Sequence, residues 1–132
     1  MRFVLFYVGL DIVSISRIKA IIGNIDLLNS ETVLKSIFSR REIKYCAALN
    51  NSYKHYAVRF AGKEAFLKAL GTGLRNDFLF SDIEFLNDSK GRPYINCYGK
   101  LKQELLKRKI NKVEVSFSHN REQAIAIVIL ET

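Results

Sequence analysis

Residues 53–73 read YKHYAVRFAGKEAFLKALGTG, the longest helical pattern in the chain. Apolar residues recur in it at three- and four-residue steps, which predicts a helix from Tyr53 to Leu70. Gly71 then ends the helix, because glycine readily adopts the left-handed conformation common just after a helix. Gly62 inside the helix costs about 1 kcal/mol relative to alanine, so its presence indicates close packing at that point.

Shorter elements surround this helix in the sequence. An apolar run over residues 2–13 predicts a buried core strand, and Asp88–Gly91 is a typical hairpin turn. One strand, a set of helices and then a strand-rich half predict an α+β fold in a single domain over 1–132. The other predicted elements are helices over 14–22, 30–38, 39–49 and 100–109, and strands over 82–87, 92–98, 112–118 and 123–130.

Serine, asparagine and glycine residues mark the ends of the predicted helices. Ser14 or Ser16 starts the first helix, and the Gly23–Asn24 pair stops it. Ser39–Glu42 has the sequence of a capping box. Asn50–Ser52 breaks the helix that follows this box and caps the long helix.

The chain has 132 residues and a formal net charge of +8, which is unevenly distributed. Residues 1–76 hold 12 Lys and Arg against 5 Asp and Glu, whereas residues 77–132 hold 9 against 8. The ordinary globular composition excludes a disordered or collagen-like chain. A basic half is either a solvated surface or a dock for nucleic acid, anionic lipid, an acidic protein or a phosphorylated ligand. The basic residues of the predicted helices include Arg17, Lys19, Arg40, Arg41, Lys44, Lys54 and Arg59.

The cysteines and the apolar segments indicate the cellular setting. Cys46 and Cys97 are too few for a disulfide framework and lie near no second metal-binding side chain at ligand spacing. We therefore expect reduced, partly buried thiols in a cytoplasmic protein. The apolar run after Met1 ends at Asp11 without a cleavage pattern, and no stretch has the roughly 20 apolar residues of a membrane span.

Two carboxylates interrupt apolar patterns. Glu64 falls on the stripe of the long helix between Phe60 and Leu67, and Asp11 closes the first strand. Burying a bare carboxylate costs several kcal/mol, so each needs a partner. Glu64 could form a buried ion pair, and Asp11 could cap the following helix. Together they could also hold one Mg²⁺, which takes one or two carboxylates plus waters and phosphate oxygens.

Lys68 and the segment Gly71-Thr72-Gly73 add a phosphate-binding signal. Lys68 lies one turn beyond Glu64 on the same face, where it either pairs with Glu64 or contacts a phosphate beside the metal. The glycines either cap the helix or let backbone N–H groups approach a phosphate. The segment follows a helix, whereas a Walker loop precedes one, so it is not a P-loop.

The sequence gives weaker indications of a functional histidine or a catalytic nucleophile. His119 ends the strand Val115–Ser118, where it has a structural role, contacts a phosphate or transfers a proton. His55 is expected on the surface of the long helix. No Ser/His/Asp or Cys/His arrangement is readable, so the sequence does not predict a catalytic nucleophile.

Five segments occur in an order and spacing that a known family shares. Gly9–Ile12 followed by Arg17-Ile18 looks like one N-terminal signature, and Arg59–Gly73 is similar to the central signature of the same family. Asp82–Glu84, Gly91–Tyr94 and Val115–His119 follow in the matching order. The chain thus resembles the bacterial holo-[acyl-carrier-protein] synthases, which are 4′-phosphopantetheinyl transferases, from about residue 8 to the end.

The resemblance implies a fold and a reaction. The fold is the 4′-phosphopantetheinyl transferase fold, an antiparallel sheet packed against a long central helix and shorter helices. The family moves the 4′-phosphopantetheine arm of coenzyme A onto a serine of apo-acyl carrier protein, requires Mg²⁺ and releases adenosine 3′,5′-bisphosphate. Its short members form homotrimers with sites between subunits.

The family's functional residues carry over to matching positions of this chain. The resemblance implies that Asp11 and Glu64 are the metal ligands, and that Lys68 contacts the phosphates and protonates the leaving group. Arg17 matches a helix arginine that meets the acidic carrier protein. The residues that match the coenzyme A-contacting region are Gly71, Thr72, Gly73 and His119.

Two positions depart from the family pattern, and two other functions stay open on sequence alone. Gly62 stands where alanine is usual, and Tyr7 replaces the first glycine of the N-terminal signature. A small basic RNA-binding module fits the charge and the Tyr and Phe content but has no use for Glu64. A non-catalytic carrier-protein binder would dock through Arg17 and transfer nothing. The enzyme interpretation predicts no nucleic-acid and no membrane partner.

Overall fold

The structure, a computed structural model, describes residues 3–23, 27–75 and 77–132. Its elements are β1 (Phe6–Ser14), α1 (Ile15–Gly23), α2 (Leu27–Ile37), α3 (Arg40–Ala47), α4 (Ser52–Leu70), β2 (Ile83–Asn87), β3 (Pro93–Cys97), α5 (Gly99–Lys107), β4 (Lys112–His119) and β5 (Gln123–Glu131), with a 3-10 helix at Phe80–Asp82 before β2. One strand, several helices and then a strand-rich half follow in this order, so the predicted α+β fold is confirmed.

A three-stranded antiparallel sheet of order β1-β5-β4 packs against α4. Small residues on both elements let the helix approach the sheet closely. A Cβ added to Gly9 of β1 would collide with the carbonyl oxygen of Ala65 on α4, so only glycine allows this contact. The inner face of β5 is formed by every second residue, and these are fully buried: Ala124, Ala126, Val128 and Leu130.

Gly62 allows a second close contact, between α4 and two aromatic rings. A Cβ added at Gly62 would lie 2.8 Å from Cε2 of Phe85 and 2.9 Å from Cε1 of Phe117. The two rings contact each other edge to face, with 5.2 Å between their centroids. The close packing indicated by the sequence is therefore confirmed, because a Cβ at this position would require the two rings to shift.

The strands β2 and β3 form a separate antiparallel hairpin that contacts α3 and α4 through β2. In its turn the Gly91 N–H donates to the carbonyl oxygen of Asp88 at 3.0 Å, and Gly91 has a φ of +81°. The predicted hairpin turn is thus confirmed. Ile83–Leu86 are all buried, so β2 is covered on both faces rather than alternating.

The predicted starts of α1 and α3 are confirmed. Ser39 Oγ accepts from the Glu42 N–H at 3.2 Å, and the Ser39 N–H donates to Glu42 Oε1 at 2.9 Å, which completes the capping box. Ser14 Oγ accepts from the Arg17 N–H at 3.4 Å, so Ser14 is the residue that starts α1. The helix ends at Gly23, and Asn24 lies outside the described residues.

One other predicted helix start is wrong, and the long helix begins where it was predicted but without a side-chain cap. The helix expected from Ser30 is already present at Leu27, because serine is tolerated within a helix as well as before one. Asn51 precedes α4 with a φ of +54°, and its side chain makes no capping hydrogen bond. Backbone geometry, rather than a side-chain cap, therefore starts the long helix.

The predicted strand over residues 2–13 differs in extent and in burial. β1 begins at Phe6, and residue 2 lies outside the described residues. Its outward face is not covered, because the helices of this chain pack on the other face of the sheet. Tyr7 pairs with Leu130 in regular register, so the departure from glycine at this position does not disrupt the strand. The outward side chains are 54–62% exposed: Phe6, Val8, Leu10 and Ile12.

Burial around α4 also differs from the predicted single apolar stripe. The helix lies between the sheet and the α3–β2 region, so it is buried on nearly all sides. Within Ser52–Leu70 only Lys68 is exposed, while Phe60 and Glu64 are half-buried. The prediction that Glu64 lies on the core face is therefore wrong, and Glu64 occupies the least buried line of the helix.

Both cysteines are free thiols, as predicted. Burial raises the pKa of Cys46 to about 11 and that of Cys97 to about 12. Both therefore stay protonated and weakly reactive near neutral pH. In the part of the chain that the structure describes, no helix combines the length and the apolar character needed to cross a bilayer.

Candidate active site

The pleat of β1 positions Asp11. Asp11 pairs with Ala126, whose side chain is fully buried on the inner face of the sheet. Since alternate residues of a strand share a face, Asp11 points to the same side as Gly9, toward α4. Gly9 brings the strand onto the helix backbone between Ala65 and Ala69, and this contact places Asp11 beside the last turns of α4.

Lys68 contacts Asp11 directly from one of these turns. Its Nζ donates to Asp11 Oδ1 at 2.9 Å and to the carbonyl oxygen of Leu10 at 3.0 Å. The sequence left Glu64 or a phosphate as the partner, and the structure shows Asp11 instead. Because the Lys68 side chain is 55% exposed, an incoming anion can reach the ammonium group.

Glu64 lies one turn before Lys68 on the same side of α4. Partial burial and then the charge of Asp11 raise the pKa of Glu64, against opposing contributions from Lys68 and Arg17. Among the described residues, none donates a hydrogen bond to the Glu64 carboxylate or pairs with it. The structure therefore brings Asp11, Glu64 and Lys68 together where β1 meets α4.

The two carboxylates form a donor set that fits a hard divalent cation. The described ranges contain no group of three or more His, Cys, Asp or Glu side chains that could hold a metal. Two carboxylates are nevertheless sufficient for Mg²⁺, which keeps several waters and takes phosphate oxygens as further ligands. The repulsion from Asp11 that raises the pKa of Glu64 is relieved by a cation placed between them. Asp11 and Glu64 therefore fit Mg²⁺.

The segment Gly71–Gly73 continues directly from the last turn of α4. The Gly71 N–H donates to the carbonyl oxygens of Leu67 and Lys68, and its φ of +75° ends the helix. Gly73 also has a positive φ, +61°. A Cβ added to either glycine would meet no described atom within 4 Å. The segment is thus a helix cap, with open space on the side where a side chain of Gly71 or Gly73 would lie.

His119 lies apart from these residues within one chain. It is exposed at the end of β4 and lines a groove of about 410 Å³ together with Asn51 and Lys54. Those two residues lie at the N-terminal end of α4, whereas Gly71–Gly73 follow its C-terminal end. A helix of 19 residues is about 28 Å long, so His119 and the glycine segment flank opposite ends of α4.

Arg17 is exposed on α1, close to the carboxylates. Its charge acts to lower the pKa of Glu64, which places the predicted docking arginine near the candidate metal ligands. A carrier protein that contacts α1 would therefore reach the same region of the molecule.

Arg59 does not belong to the predicted basic surface. Its side chain is buried, and its Nε donates to the carbonyl oxygen of Phe85 at 3.1 Å. Its Nη2 donates to Asn87 Oδ1 at 2.6 Å, and its Nη1 donates to the carbonyl oxygen of His55 at 3.2 Å. Arg59 therefore joins α4 to the hairpin. His55, expected at the surface, is half-buried, and burial lowers its pKa.

A buried ion pair beside Glu64 is the main feature that sequence reasoning missed. Lys63 Nζ lies 2.7 Å from Glu42 Oε1, and both side chains are fully buried. Lys63 also donates to the carbonyl oxygens of Phe80 and Ile83, so the ammonium group has three acceptors. Burial lowers the pKa of Lys63 despite these contacts. The pair fixes α4 against α3 and β2.

A helical spacing signal could have revealed these buried charges. Arg59 and Lys63 lie four residues apart on a line of otherwise apolar residues, which indicates basic groups with internal partners. The line consists of Tyr56, Arg59, Lys63, Phe66 and Leu70, all buried.

Comparisons with known proteins agree with this geometry. The sequence profile of the 4′-phosphopantetheinyl transferase superfamily matches residues 7–128. The chain is 48% identical over 123 residues to the holo-[acyl-carrier-protein] synthase of Syntrophus aciditrophicus, with 93% of each chain covered. The crystal structure of holo-[acyl-carrier-protein] synthase from Neisseria meningitidis superimposes with a TM-score of 0.84 at 29% identity, covering 96% of this chain and 98% of that one. The Helicobacter pylori synthase, crystallised in complex with coenzyme A, gives 0.79 at 31% identity, with 93% and 98% covered.

The fold and the matching sequence profile therefore define a transferase of the phosphopantetheinyl class. The chain belongs to the 4′-phosphopantetheinyl transferase superfamily. Within that superfamily it is an enzyme of the holo-[acyl-carrier-protein] synthase type. The family, the fold and the enzyme class expected from the sequence are confirmed.

Proposed function

We propose that this chain transfers the 4′-phosphopantetheine arm of coenzyme A to a serine hydroxyl of an apo-acyl carrier protein. The serine oxygen gains a bond to phosphorus and loses its proton, while the phosphoanhydride bond breaks and adenosine 3′,5′-bisphosphate leaves. One observation carries the proposal: Asp11, Glu64 and Lys68 meet beside the Gly71–Gly73 segment, in a chain whose relatives are holo-[acyl-carrier-protein] synthases.

Asp11 and Glu64 would hold Mg²⁺ in this reaction. When bound, the ion would offset the charge of the pyrophosphate and align it for displacement. Asp11 Oδ1 accepts from Lys68, while Glu64 has no partner among the described residues. Lys68 therefore holds the Asp11 carboxylate before substrate binds, and the Glu64 carboxylate stays available to a cation.

Lys68 would bind the phosphates and supply the proton of the leaving group. Its ammonium group is exposed and lies at the carboxylate site, where transfer develops negative charge on the departing oxygen. The lysine end of its ion pair with Asp11 faces solvent, so a phosphate oxygen can reach the ammonium group and replace Asp11 as its partner. The attacking hydroxyl belongs to the carrier protein, which accounts for the lack of a nucleophile signal in the sequence.

The coenzyme A site would be completed by a second copy of the chain. Thr72 and Gly73 would present backbone N–H groups to the phosphates, Gly71 would form the turn that positions them, and His119 would contact coenzyme A. Since the glycine segment and His119 flank opposite ends of α4, one chain does not bring them to one ligand. A site between subunits of a homotrimer joins His119 of one subunit to the glycine segment of another.

The outer face of the sheet supports this assembly. Single-chain proteins seldom expose a contiguous apolar face of this kind. Burying it against other copies is favourable at roughly 25 cal/mol per Å² of apolar surface. The face is formed by Val8, Leu10, Ile12, Ile125, Ile127 and Ile129, which are paired in register on β1 and β5.

The carrier protein would dock on the basic face around Arg17. Arg17 is exposed on α1 and lies close enough to Glu64 to act on its pKa. An acidic partner bound there would present its serine to the carboxylate site. In the proposed role, this activity serves fatty acid biosynthesis and lipid metabolism. The location of the protein in the cytoplasm stays a prediction.

Intact mass measurement of apo-acyl carrier protein tests the proposal. After incubation with this protein, coenzyme A and Mg²⁺, we expect the carrier protein to gain the mass of one phosphopantetheine arm. An unchanged carrier-protein mass, with tight salt-sensitive RNA binding by this protein, would favour the RNA-binding alternative instead. Carrier-protein binding without a mass gain would favour the non-catalytic binder.

A further inference from the structure

The Gly71–Gly73 segment, which follows α4, is held at its N-terminal end by a residue next to α5. Arg108, directly after α5, donates from Nη1 to the carbonyl oxygen of Leu70 at 2.5 Å. Leu70 is the last residue of α4, where carbonyl groups lack donors within the helix. The guanidinium group satisfies one of these carbonyls and places positive charge at the negative end of the helix dipole.

Glu104 of α5 connects Arg108 to the far end of the same segment. Glu104 Oε1 accepts from Arg108 Nε at 2.9 Å, while Glu104 Oε2 lies 3.9 Å from Arg75 Nη1. Arg75 in turn lies over the ring of Phe78, 4.5 Å from its centroid, and pairs with Asp77 at 3.2 Å. The Glu104 side chain is only 15% exposed, so its two contacts are partly shielded from water.

Between these two anchors the glycine segment has little support of its own. The Thr72 hydroxyl donates to the carbonyl oxygen of the adjacent Gly73 at 2.9 Å, which does not tie the segment to another element. Described atoms come no nearer than 4 Å to a Cβ added at Gly71 or Gly73. The position of the segment therefore depends on Leu70 at its start and Arg75 after its end.

We propose that Arg108 and Glu104 are positioning residues for coenzyme A. They hold the Gly71–Gly73 segment so that the N–H groups of Thr72 and Gly73 face the phosphates, without touching the ligand themselves. The conformational entropy of the segment is then lost during folding, so coenzyme A binding does not have to offset that loss. This inference rests on the proposed function, and it gives α5 a role in substrate binding.

Four variants of the full chain test the inference. Arg108→Gln removes the charge and both contacts, and Arg108→Lys keeps a donor for Leu70 but not the fork that also reaches Glu104. Arg92→Gln is the matched control, because Arg92 forms an exposed pair with Glu114 at 2.9 Å, away from the segment. Glu104→Gln serves as the second probe should Arg108→Gln fail to fold.

The measurements are steady-state kinetics with coenzyme A and apo-carrier protein, and calorimetric binding of adenosine 3′,5′-bisphosphate. We expect Arg108→Gln to raise both the KM for coenzyme A and the Kd of the bisphosphate about tenfold. The kcat and the KM for carrier protein of Arg108→Gln should stay near wild type. Arg108→Lys should recover part of the lost affinity for coenzyme A and the bisphosphate, and Arg92→Gln should lose no affinity for either.

An unchanged bisphosphate Kd in Arg108→Gln or in Glu104→Gln overturns the inference. Equal losses in kcat and in both KM values, with a lowered Tm, also overturn it, because they indicate a general structural role. The binding comparison needs no turnover. A wild-type chain that binds the bisphosphate but transfers nothing therefore contradicts the proposed function, while the variants still decide the positioning role.

Discussion

The Lys68 ammonium lies 2.9 Å from Oδ1 of Asp11, although the two residues are 57 positions apart. The contact joins α4 to β1 where Gly9 lets the strand touch the helix backbone. The Lys68 cation thus contacts one of two neighbouring carboxylates. The other carboxylate, that of Glu64, lies one helical turn before Lys68. Phosphoryl-type transfer depends mainly on such placed charges, so the site is organised by the fold itself.

Lys68→Met tests the role of that cation. We expect kcat for arm transfer to fall about a hundredfold, because a positioned acid or charge contributes on that order. The Tm should change little, since exposed ion pairs contribute at most about 1 kcal/mol. Lys35→Met is the control, because Lys35 forms an exposed pair with Glu31 at 2.8 Å and should keep full activity. Wild-type kcat in Lys68→Met would exclude the proposed role.

Arg17→Glu tests the docking surface. Reversing this exposed charge should raise the KM for carrier protein at least about tenfold, because it repels an acidic partner. The KM for coenzyme A should change far less, since Arg17 is not placed at the phosphates. Steady-state kinetics with each substrate varied in turn gives both values. Equal increases in the two KM values would argue against docking at α1.

Gly62→Ala tests the packing of α4 against Phe85 and Phe117. Alanine gains about 1 kcal/mol in helix propensity, but its Cβ would lie within 3 Å of two rings, and overpacking costs about 1–3 kcal/mol. We expect a lower free energy of unfolding by urea denaturation. In a Phe117→Leu background the same change should destabilise less, because only the contact with Phe85 remains. Stabilisation by Gly62→Ala in the wild-type background would show that the rings move aside freely.

The environment of Glu84 predicts how the free energy of unfolding changes with pH in the acid range. Burial raises its pKa, but hydrogen bonds from Ser39, Tyr98 and Asn96 outweigh this, so the pKa lies below its ordinary value of 4.5. A carboxyl group with a lowered folded-state pKa stabilises above its unfolded-state pKa, and that stability is lost as the pH falls through the folded value. Below about pH 4.5 the free energy of unfolding should therefore drop more steeply in wild type than in Glu84→Gln. Equal slopes in urea titrations would contradict this.

The sequence was sufficient for the order of the elements and for several of their ends, and local signals explain why. The capping box at Ser39 and the turn at Asp88–Gly91 depend on near neighbours, which a sequence displays directly. Asp11 and Glu64 stood out as charges within apolar patterns. Lys68 contacts Asp11 rather than Glu64, Glu64 lies off the core face on which the pattern placed it, and the roles implied by the family resemblance stay predictions.

Tertiary packing decided what the sequence did not reveal. Arg59 and Lys63 are basic, and basic residues are usually exposed, but a helix enclosed on nearly all sides gives them internal carbonyl and carboxylate acceptors. Conversely, β1 is apolar yet exposed on one face, because one chain supplies helices to only one side of its sheet. Neither outcome follows from local periodicity.

Arm transfer that depends on Mg²⁺ and on Glu64 is the central claim, and the mass of the carrier protein tests it most directly. Apo-carrier protein is incubated with coenzyme A and either the wild-type chain or Glu64→Gln, with Mg²⁺ or with a chelator. We predict the gain of one arm only for wild type with Mg²⁺, while Glu64→Gln keeps its fold by circular dichroism. No gain for wild type, or an undiminished gain for Glu64→Gln or in chelator, would contradict the account.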